Sequence, residues 1–98
     1  MTLRPIAGLR LRRALFGILL SAGRPLTVHE VVAALHAAGV TTPVWCSKPP
    51  AMVVADMLGY QVRAGRVQRT ARATFTVVTS SISRSTRWRC LHWRDGLS

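Results

Sequence analysis

Arginine side chains carry most of the chemistry that this sequence offers. Four of them recur at every third residue in the second half of the chain: Arg63, Arg66, Arg69 and Arg72. No carboxylate occurs between Asp56 and Asp95, so no neighbour in the sequence can pair with these guanidinium groups. Because a guanidinium grips phosphate oxygens through two hydrogen bonds, the cluster predicts phosphate contacts, with the hydroxyls of Thr70 and Thr74 as further donors.

The overall charge agrees with a polyanionic partner. The 98 residues contain 14 Lys and Arg but 3 Asp and Glu, which gives a formal net charge of +11 at pH 7. A surplus of this size favours nucleic acid. The few carboxylates leave little material for catalysis by paired acids. We therefore expect a binding protein and no enzyme.

Residues 79–98 hold a second group of arginines interleaved with tryptophans: Arg84, Arg87, Trp88, Arg89, Trp93 and Arg94. One interpretation is that the aromatic rings and arginines bind nucleic acid together. The favoured interpretation is that the tryptophans pack on the domain or on a second subunit, because burial of tryptophan contributes much to a small core. Arg84, Arg87 and Arg89 are accordingly the weaker candidates for phosphate contacts.

The cysteines and histidines do not match a metal-binding or catalytic motif. They are Cys46, Cys90, His29, His36 and His92. No two of them have the spacing of a zinc knuckle, and Cys90 and His92 are too close together for one. We expect no metal, no cofactor and no disulfide framework. Two cysteines also favour a reducing cytoplasm.

Two interpretations fit the N-terminal segment. Apolar residues recur at helical spacing and predict an amphipathic helix over residues 9–22: Leu11, Leu15, Ile18, Leu19 and Ala22. The alternative is a signal peptide, because Arg12 and Arg13 precede the apolar run 14–23. That run is about half as long as the roughly 20 residues that span a bilayer. The helix is favoured because the next segment completes a motif with it.

Two further helices follow. Thr27 and Glu30 have the spacing of a capping box, which predicts that the second helix begins there and ends at Gly39. A third helix is predicted over residues 47–64, with Ser47 as its N-cap. Two prolines fit its first turn, where their missing N–H groups cost nothing.

A hairpin is predicted after the third helix. Its strands are residues 66–69 and 74–78, because β-branched and aromatic residues dominate the second of them. Residues 70–73 form the turn. The basic residues that follow are predicted to form a tail or a short helix, with Ser83 or Ser85 as its cap.

This order of elements resembles the winged helix-turn-helix family of DNA-binding domains. The resemblance is carried by AGRPLTVHEVVAAL at residues 22–35 and VRAGRVQRTARATFTV at residues 62–77, and it covers residues 9–78. It implies an α+β fold that is mainly α, a three-helix bundle with a C-terminal two-stranded β wing. It also implies that the third helix enters the major groove, that the wing touches the DNA backbone, and that a tiny strand at Leu26 lies against the wing.

The resemblance makes the polar residues of the third helix the candidates for base contacts: Lys48, Tyr60 and Gln61. That helix otherwise offers few long polar side chains, which departs from the family pattern, since base edges are read by hydrogen bonds. DNA binding is therefore better supported than sequence specificity.

The leading hypothesis is a cytoplasmic protein that binds double-stranded DNA. It would act as a small transcription regulator or nucleoid-associated factor, as a homodimer and without a membrane partner. Residues 1–8 would be an N-terminal arm, residues 9–78 the winged-helix domain and residues 79–98 a basic extension. Two alternatives remain open: a protein-interaction module that docks through the apolar third helix, and a basic RNA- or ribosome-associated protein.

Overall fold

Four α-helices and five short strands make up the part of the chain that the computed structural model describes, residues 2–44 and 47–97. The helices are α1 (Gly8–Ala22), α2 (Val28–Ala37), α3 (Pro50–Arg63) and α4 (Arg84–Leu91). The strands are β1 (Arg4–Pro5), β2 (Leu26–Thr27), β3 (Val40–Thr41), β4 (Val67–Ala71) and β5 (Thr74–Val77). The predicted α+β class is confirmed. Of the described helices, none is long and apolar enough to cross a membrane.

The first helix, α1, forms around the predicted apolar stripe. Its residues Leu11, Leu15 and Leu19 are 1%, 2% and 1% exposed, because successive helical turns bring them to the same side. Gly23 ends the helix in the left-handed conformation, with φ 62°. α1 contacts α2, α4 and β5, so it lies at the centre of the core.

The second helix, α2, begins at the predicted capping box. Thr27 Oγ1 accepts a hydrogen bond from the Glu30 N–H at 3.1 Å, and Glu30 Oε1 accepts one from the Thr27 N–H at 2.9 Å. The backbone hydrogen bond from Thr27, and then the side-chain bond from Arg24, lower the pKa of Glu30. The ionised carboxylate therefore stabilises the beginning of α2, and this contribution is lost as the pH falls through the lowered pKa.

The predicted start of the third helix at Ser47 is wrong. Pro49 is the N-cap residue, with ψ 156°, and Pro50 is the first helical residue. A residue that precedes proline is sterically disfavoured in the helical conformation, so Pro50 holds Pro49 extended and Pro49 disfavours the helical conformation at residue 48. Ser47 consequently lies outside the helix.

The hairpin of β4 and β5 is tighter than the sequence predicts. Ala71 pairs with Thr74, so the turn consists of Arg72 and Ala73 instead of residues 70–73. Ala73 adopts a positive φ of 52°, which reverses the chain within these two residues.

The sheets are not confined to the C-terminal side of the helices, which corrects the predicted two-stranded wing. β2 pairs with β5 in an antiparallel sheet of order β2-β5-β4, and Leu26 lies opposite Phe75. The strand expected at Leu26 is thereby confirmed. It forms because the extended residues before α2 present backbone groups to the open edge of β5. A second, parallel pair joins β1 to β3.

The C-terminal helix, α4, packs against α1. Ser83 is its N-cap, and Ser83 Oγ accepts a hydrogen bond from the Thr86 N–H at 3.2 Å. Trp93 is 8% exposed, whereas Trp88 is 61% exposed. The predicted packing of the tryptophans on the domain therefore holds for Trp93 and not for Trp88.

The two helices approach closely at Gly17 of α1. A Cβ atom at this position would overlap the backbone carbonyl oxygen of Cys90 and the ring of Trp93. Only glycine leaves space for this approach. Cys90, at 1% exposure, is sealed between the helices, and burial raises the pKa of its thiol.

Candidate nucleic-acid interface

Two of the predicted phosphate contacts, Arg69 and Arg72, lie at the exposed end of the hairpin. Neither makes an ion pair with any carboxylate in the described part of the chain. The guanidinium carbon of Arg69 lies 5.8 Å from the centroid of the Phe75 ring, which supports the side chain without neutralising it. We call Arg69 and Arg72, with Thr70 between them, the hairpin tip.

The two threonines differ in what they can donate. Thr70 is exposed beside the arginines of the hairpin tip. Thr74 Oγ1 already donates to the carbonyl oxygen of Arg72 at 2.9 Å. The Thr74 hydroxyl therefore holds the turn together, and Thr70 is the better candidate for a phosphate oxygen.

The solvent-facing side of α3 is only moderately polar. Met52, Asp56, Tyr60 and Arg63 are exposed along it. Lys48 Nζ lies 2.8 Å from Asp56 Oδ2, so this predicted base contact is engaged in an ion pair. The Tyr60 ring is 60% exposed and lies 6.0 Å below the guanidinium carbon of Arg63. Lys48 and Tyr60 are accessible to a partner, but Lys48 lies before the first residue of α3, whereas Tyr60 lies in its last turn.

Gln61 is not available to a partner, so its prediction as a base contact is corrected. The residue is 5% exposed, and its Oε1 accepts a hydrogen bond from Arg66 Nη1 at 3.2 Å. Its position seven residues after Val54, two helical turns, places it on the buried side of α3. The amide is therefore an internal anchor for Arg66.

The regular spacing of the four arginines does not bring them into one patch. Arg66 precedes β4 and Arg72 follows it, and a strand rises about 3.3 Å per residue. Arg66 and Arg72 therefore lie at opposite ends of the hairpin, about 20 Å apart along the strand. Arg63 lies at the end of α3. Only Arg69 and Arg72 form the predicted cluster.

The tail arginines are also divided by the structure. Arg87 Nη2 donates to the carbonyl oxygen of Thr79 at 3.1 Å, which attaches α4 to the segment before it. Arg84 is exposed on α4. Arg89 instead lines a cleft between α1 and α4, where Arg12, Arg13 and Arg66 also lie.

That cleft is the main feature that the sequence did not predict. In the sequence, Arg12 and Arg13 indicated only a helix or a signal peptide. The cleft forms because α4 packs on α1, and no local pattern in the sequence predicts that contact. The basic cleft and the hairpin tip are two separate concentrations of positive charge.

No group of three or more histidine, cysteine, aspartate or glutamate side chains within residues 2–44 and 47–97 is placed to hold a metal ion. Cys46, one of the cysteines and histidines considered above as metal ligands, lies outside the described residues together with its neighbour Trp45. Cys90 is buried between α1 and α4 and belongs to no group of potential metal ligands among the described residues. The expectation that the protein needs no metal stays a prediction.

Removal of metal ions is expected to leave the stability unchanged. An apolar core around α1 holds the fold together, so no structural zinc is needed to stabilise it. Dialysis against a strong chelator should give the same melting temperature as the untreated protein, with a zinc-finger protein as the positive control. Stoichiometric zinc that survives gel filtration would contradict this prediction.

Comparison of the chain with protein-family models, with curated proteins and with solved structures finds no match. No relative therefore indicates a partner for the basic surfaces. What they can bind follows from their own charge, exposure and spacing.

Proposed function

We propose that the chain is a winged-helix protein that binds duplex DNA. The observation that carries the proposal is the hairpin tip, where Arg69 and Arg72 are exposed at the end of the β2-β5-β4 sheet and pair with no carboxylate of the described residues. The element order from α1 to β5 supports a winged-helix topology. Arginines at the end of a rigid hairpin suit the phosphate backbone, because each guanidinium can form two hydrogen bonds with one phosphate.

Binding to the backbone would contribute more than reading of bases. Lys48 is held by Asp56, Gln61 is buried, and Met52 offers only apolar contact. We therefore propose a small transcription regulator or nucleoid-associated factor whose affinity depends weakly on sequence, located in the cytoplasm and without enzymatic activity. Trp88 and Leu91 of α4 are exposed one helical turn apart, and we propose that a homodimer forms through them, since contiguous exposed apolar side chains can mark an interaction site.

Removal of the two hairpin-tip guanidiniums is expected to weaken binding to all duplexes equally. In the double variant Arg69→Ala/Arg72→Ala, the slope of log affinity against log salt should fall by about 0.9 for each phosphate that the protein no longer neutralises. Fluorescence anisotropy with several unrelated duplexes at four salt concentrations measures both quantities. Arg10→Ala/Arg94→Ala is the matched control, because it removes the same charge away from the hairpin and α3.

Three outcomes separate the proposal from its alternatives. An unchanged salt slope in Arg69→Ala/Arg72→Ala would show that the hairpin tip does not touch the backbone. Preference for a structured RNA competitor over duplex DNA would favour the RNA- or ribosome-associated protein. Indifference of the wild-type chain to both nucleic acids would favour a protein-interaction module that docks through the exposed Met52 and Tyr60 of α3.

A further inference from the structure

The cleft between α1 and α4 is a concave site lined by four arginines. Its volume is about 430 Å³, which lies within the range of small-molecule sites. The arginines that line it belong to three different parts of the fold: Arg12 and Arg13 on α1, Arg66 before β4, and Arg89 on α4. We call this the arginine cleft.

The charge of the arginine cleft is not neutralised by its own walls. No carboxylate occurs among the residues that line it. Arg12, Arg13 and Arg89 make no hydrogen bond or ion pair within the described ranges, and Arg66 is held only through Nη1 by Gln61. Asp95 lies in an adjoining groove that Arg13 and Arg89 also line. Four like charges facing one cavity repel one another, so an anion in the cleft would lower the electrostatic free energy.

Hydroxyl groups stand beside the arginines. Ser81, Ser83 and Thr86 line the same cleft, at the segment that leads into the first turn of α4. Ser81 Oγ already donates to the Val78 carbonyl oxygen at 2.6 Å, and Ser83 Oγ donates to Thr86 Oγ1 at 2.9 Å. Of the three hydroxyls, that of Thr86 is therefore the one that can donate to a phosphate oxygen. The start of α4 adds the partial positive charge of a helix N-terminus to the cleft.

The floor of the arginine cleft is apolar. Phe16, Ile82 and Cys90 line it and are 6%, 8% and 1% exposed, and Leu9 at the margin is 47% exposed. A simple inorganic anion would leave the exposed side chain of Leu9, at the margin of this floor, in contact with water. A ligand with an apolar or aromatic part would cover it, and the arginines would hold its charged part.

We propose that the arginine cleft binds a small ligand that carries two or more phosphate groups on an aromatic body, the chemistry of a nucleoside di- or triphosphate. The four arginines come from three parts of the fold, so an oligophosphate, which carries more negative charge and spreads its oxygens over a longer span, fits better than a monophosphate. A duplex backbone fits less well, because it is convex and presents no apolar group to the floor. The site lies at the end of the hairpin away from the tip, and the proposal is independent of DNA binding.

The experiment uses three probes on the full chain: adenosine triphosphate, inorganic tripolyphosphate and adenosine. Isothermal titration calorimetry should show saturable binding of one adenosine triphosphate per chain, weaker binding of tripolyphosphate and none of adenosine. The variant Arg12→Gln/Arg89→Gln removes two exposed guanidiniums that pack in no core, so it should fold normally. Its affinity should fall by about tenfold or more for each guanidinium removed.

Two control variants make the result specific to the site. Arg69→Gln/Arg72→Gln removes the same charge at the hairpin tip and should bind adenosine triphosphate as the wild type does. Leu9→Ala should weaken adenosine triphosphate binding while leaving tripolyphosphate binding unchanged, since only the nucleoside contacts the apolar margin.

Several results would overturn the proposal. Failure of both phosphate probes to bind the wild-type chain at millimolar concentration would do so. An equal loss of affinity in the hairpin-tip variant would show that the binding is only a response to net charge. Retention of wild-type affinity in Arg12→Gln/Arg89→Gln would place the ligand elsewhere. A normal melting temperature of that variant excludes unfolding as the cause of weaker binding.

Discussion

Replacement of Leu15 by aspartate is expected to unfold the protein. Leu15 is 2% exposed at the middle of α1, the helix that contacts α2, α4 and β5. The change removes a buried side chain, which costs about 2–5 kcal/mol for truncation alone, and adds a carboxylate without a buried partner. The total approaches the roughly 5–15 kcal/mol that stabilises a typical domain. Circular dichroism and urea denaturation should show a largely unfolded chain.

Leu9→Asp on the same helix is the matched control. Leu9 is 47% exposed, so a carboxylate there remains in water and should change the midpoint of denaturation little. A cooperative transition of Leu15→Asp at the wild-type urea concentration would show that α1 does not form the centre of the core.

A methyl group at position 17 is expected to separate α4 from α1. On an exposed helix face, Gly→Ala stabilises by about 1 kcal/mol. At Gly17 the added Cβ meets the carbonyl oxygen of Cys90, which is backbone and cannot turn aside, and the ring of Trp93. Overpacking of this kind costs about 1–3 kcal/mol, so the net effect is destabilising. Urea denaturation measures the free energy of unfolding. The variant should also increase the hydrogen-exchange rate of the α4 amides more than that of the α2 amides.

Gly59→Ala supplies the comparison within the same fold. Gly59 lies in α3, and the nearest atom to its added Cβ is Arg63 Nη1 at 3.9 Å, an ordinary contact with a flexible side chain. This variant should be as stable as the wild type or more stable. Opposite signs for the two variants support the close approach of α4, whereas stabilisation by both would show that α4 is not seated on Gly17.

Local signals in the sequence predicted the elements well where a single residue type determines the backbone. The Thr27–Glu30 capping box predicted the beginning of α2. Of the two caps predicted for α4, Ser83 or Ser85, the structure has Ser83. The predicted start of α3 was wrong because two local preferences compete there, the capping preference of serine and the steric effect of proline. Ser47 favours a cap, but the adjacent prolines exclude helical conformation before Pro50.

The candidate site was harder to predict, because residue type indicates what a side chain can bind but not whether the side chain faces the solvent or the core. Gln61 is polar, yet its helical position turns it inward. Arginines at every third residue lie close together on a helix, whereas a strand rises about 3.3 Å per residue, so Arg66 lies far from the hairpin tip. The arginine cleft depends on contacts between segments about 75 residues apart in the sequence, Arg12 and Arg89, which no local periodicity encodes.

The strand β2 attaches the hairpin to the rest of the fold. It pairs Leu26 with Phe75, and the Val28 N–H donates to the Ala73 carbonyl oxygen at 2.9 Å, so the turn is joined to the start of α2. The backbone beneath Arg69 and Arg72 is thus ordered before any encounter. If the hairpin tip binds DNA as proposed, association would restrict only the rotamer freedom of these two side chains, about 0.5–1.5 kcal/mol each, and would require no folding of the hairpin. A lengthened hairpin without this attachment would carry the same charges but would first have to become rigid.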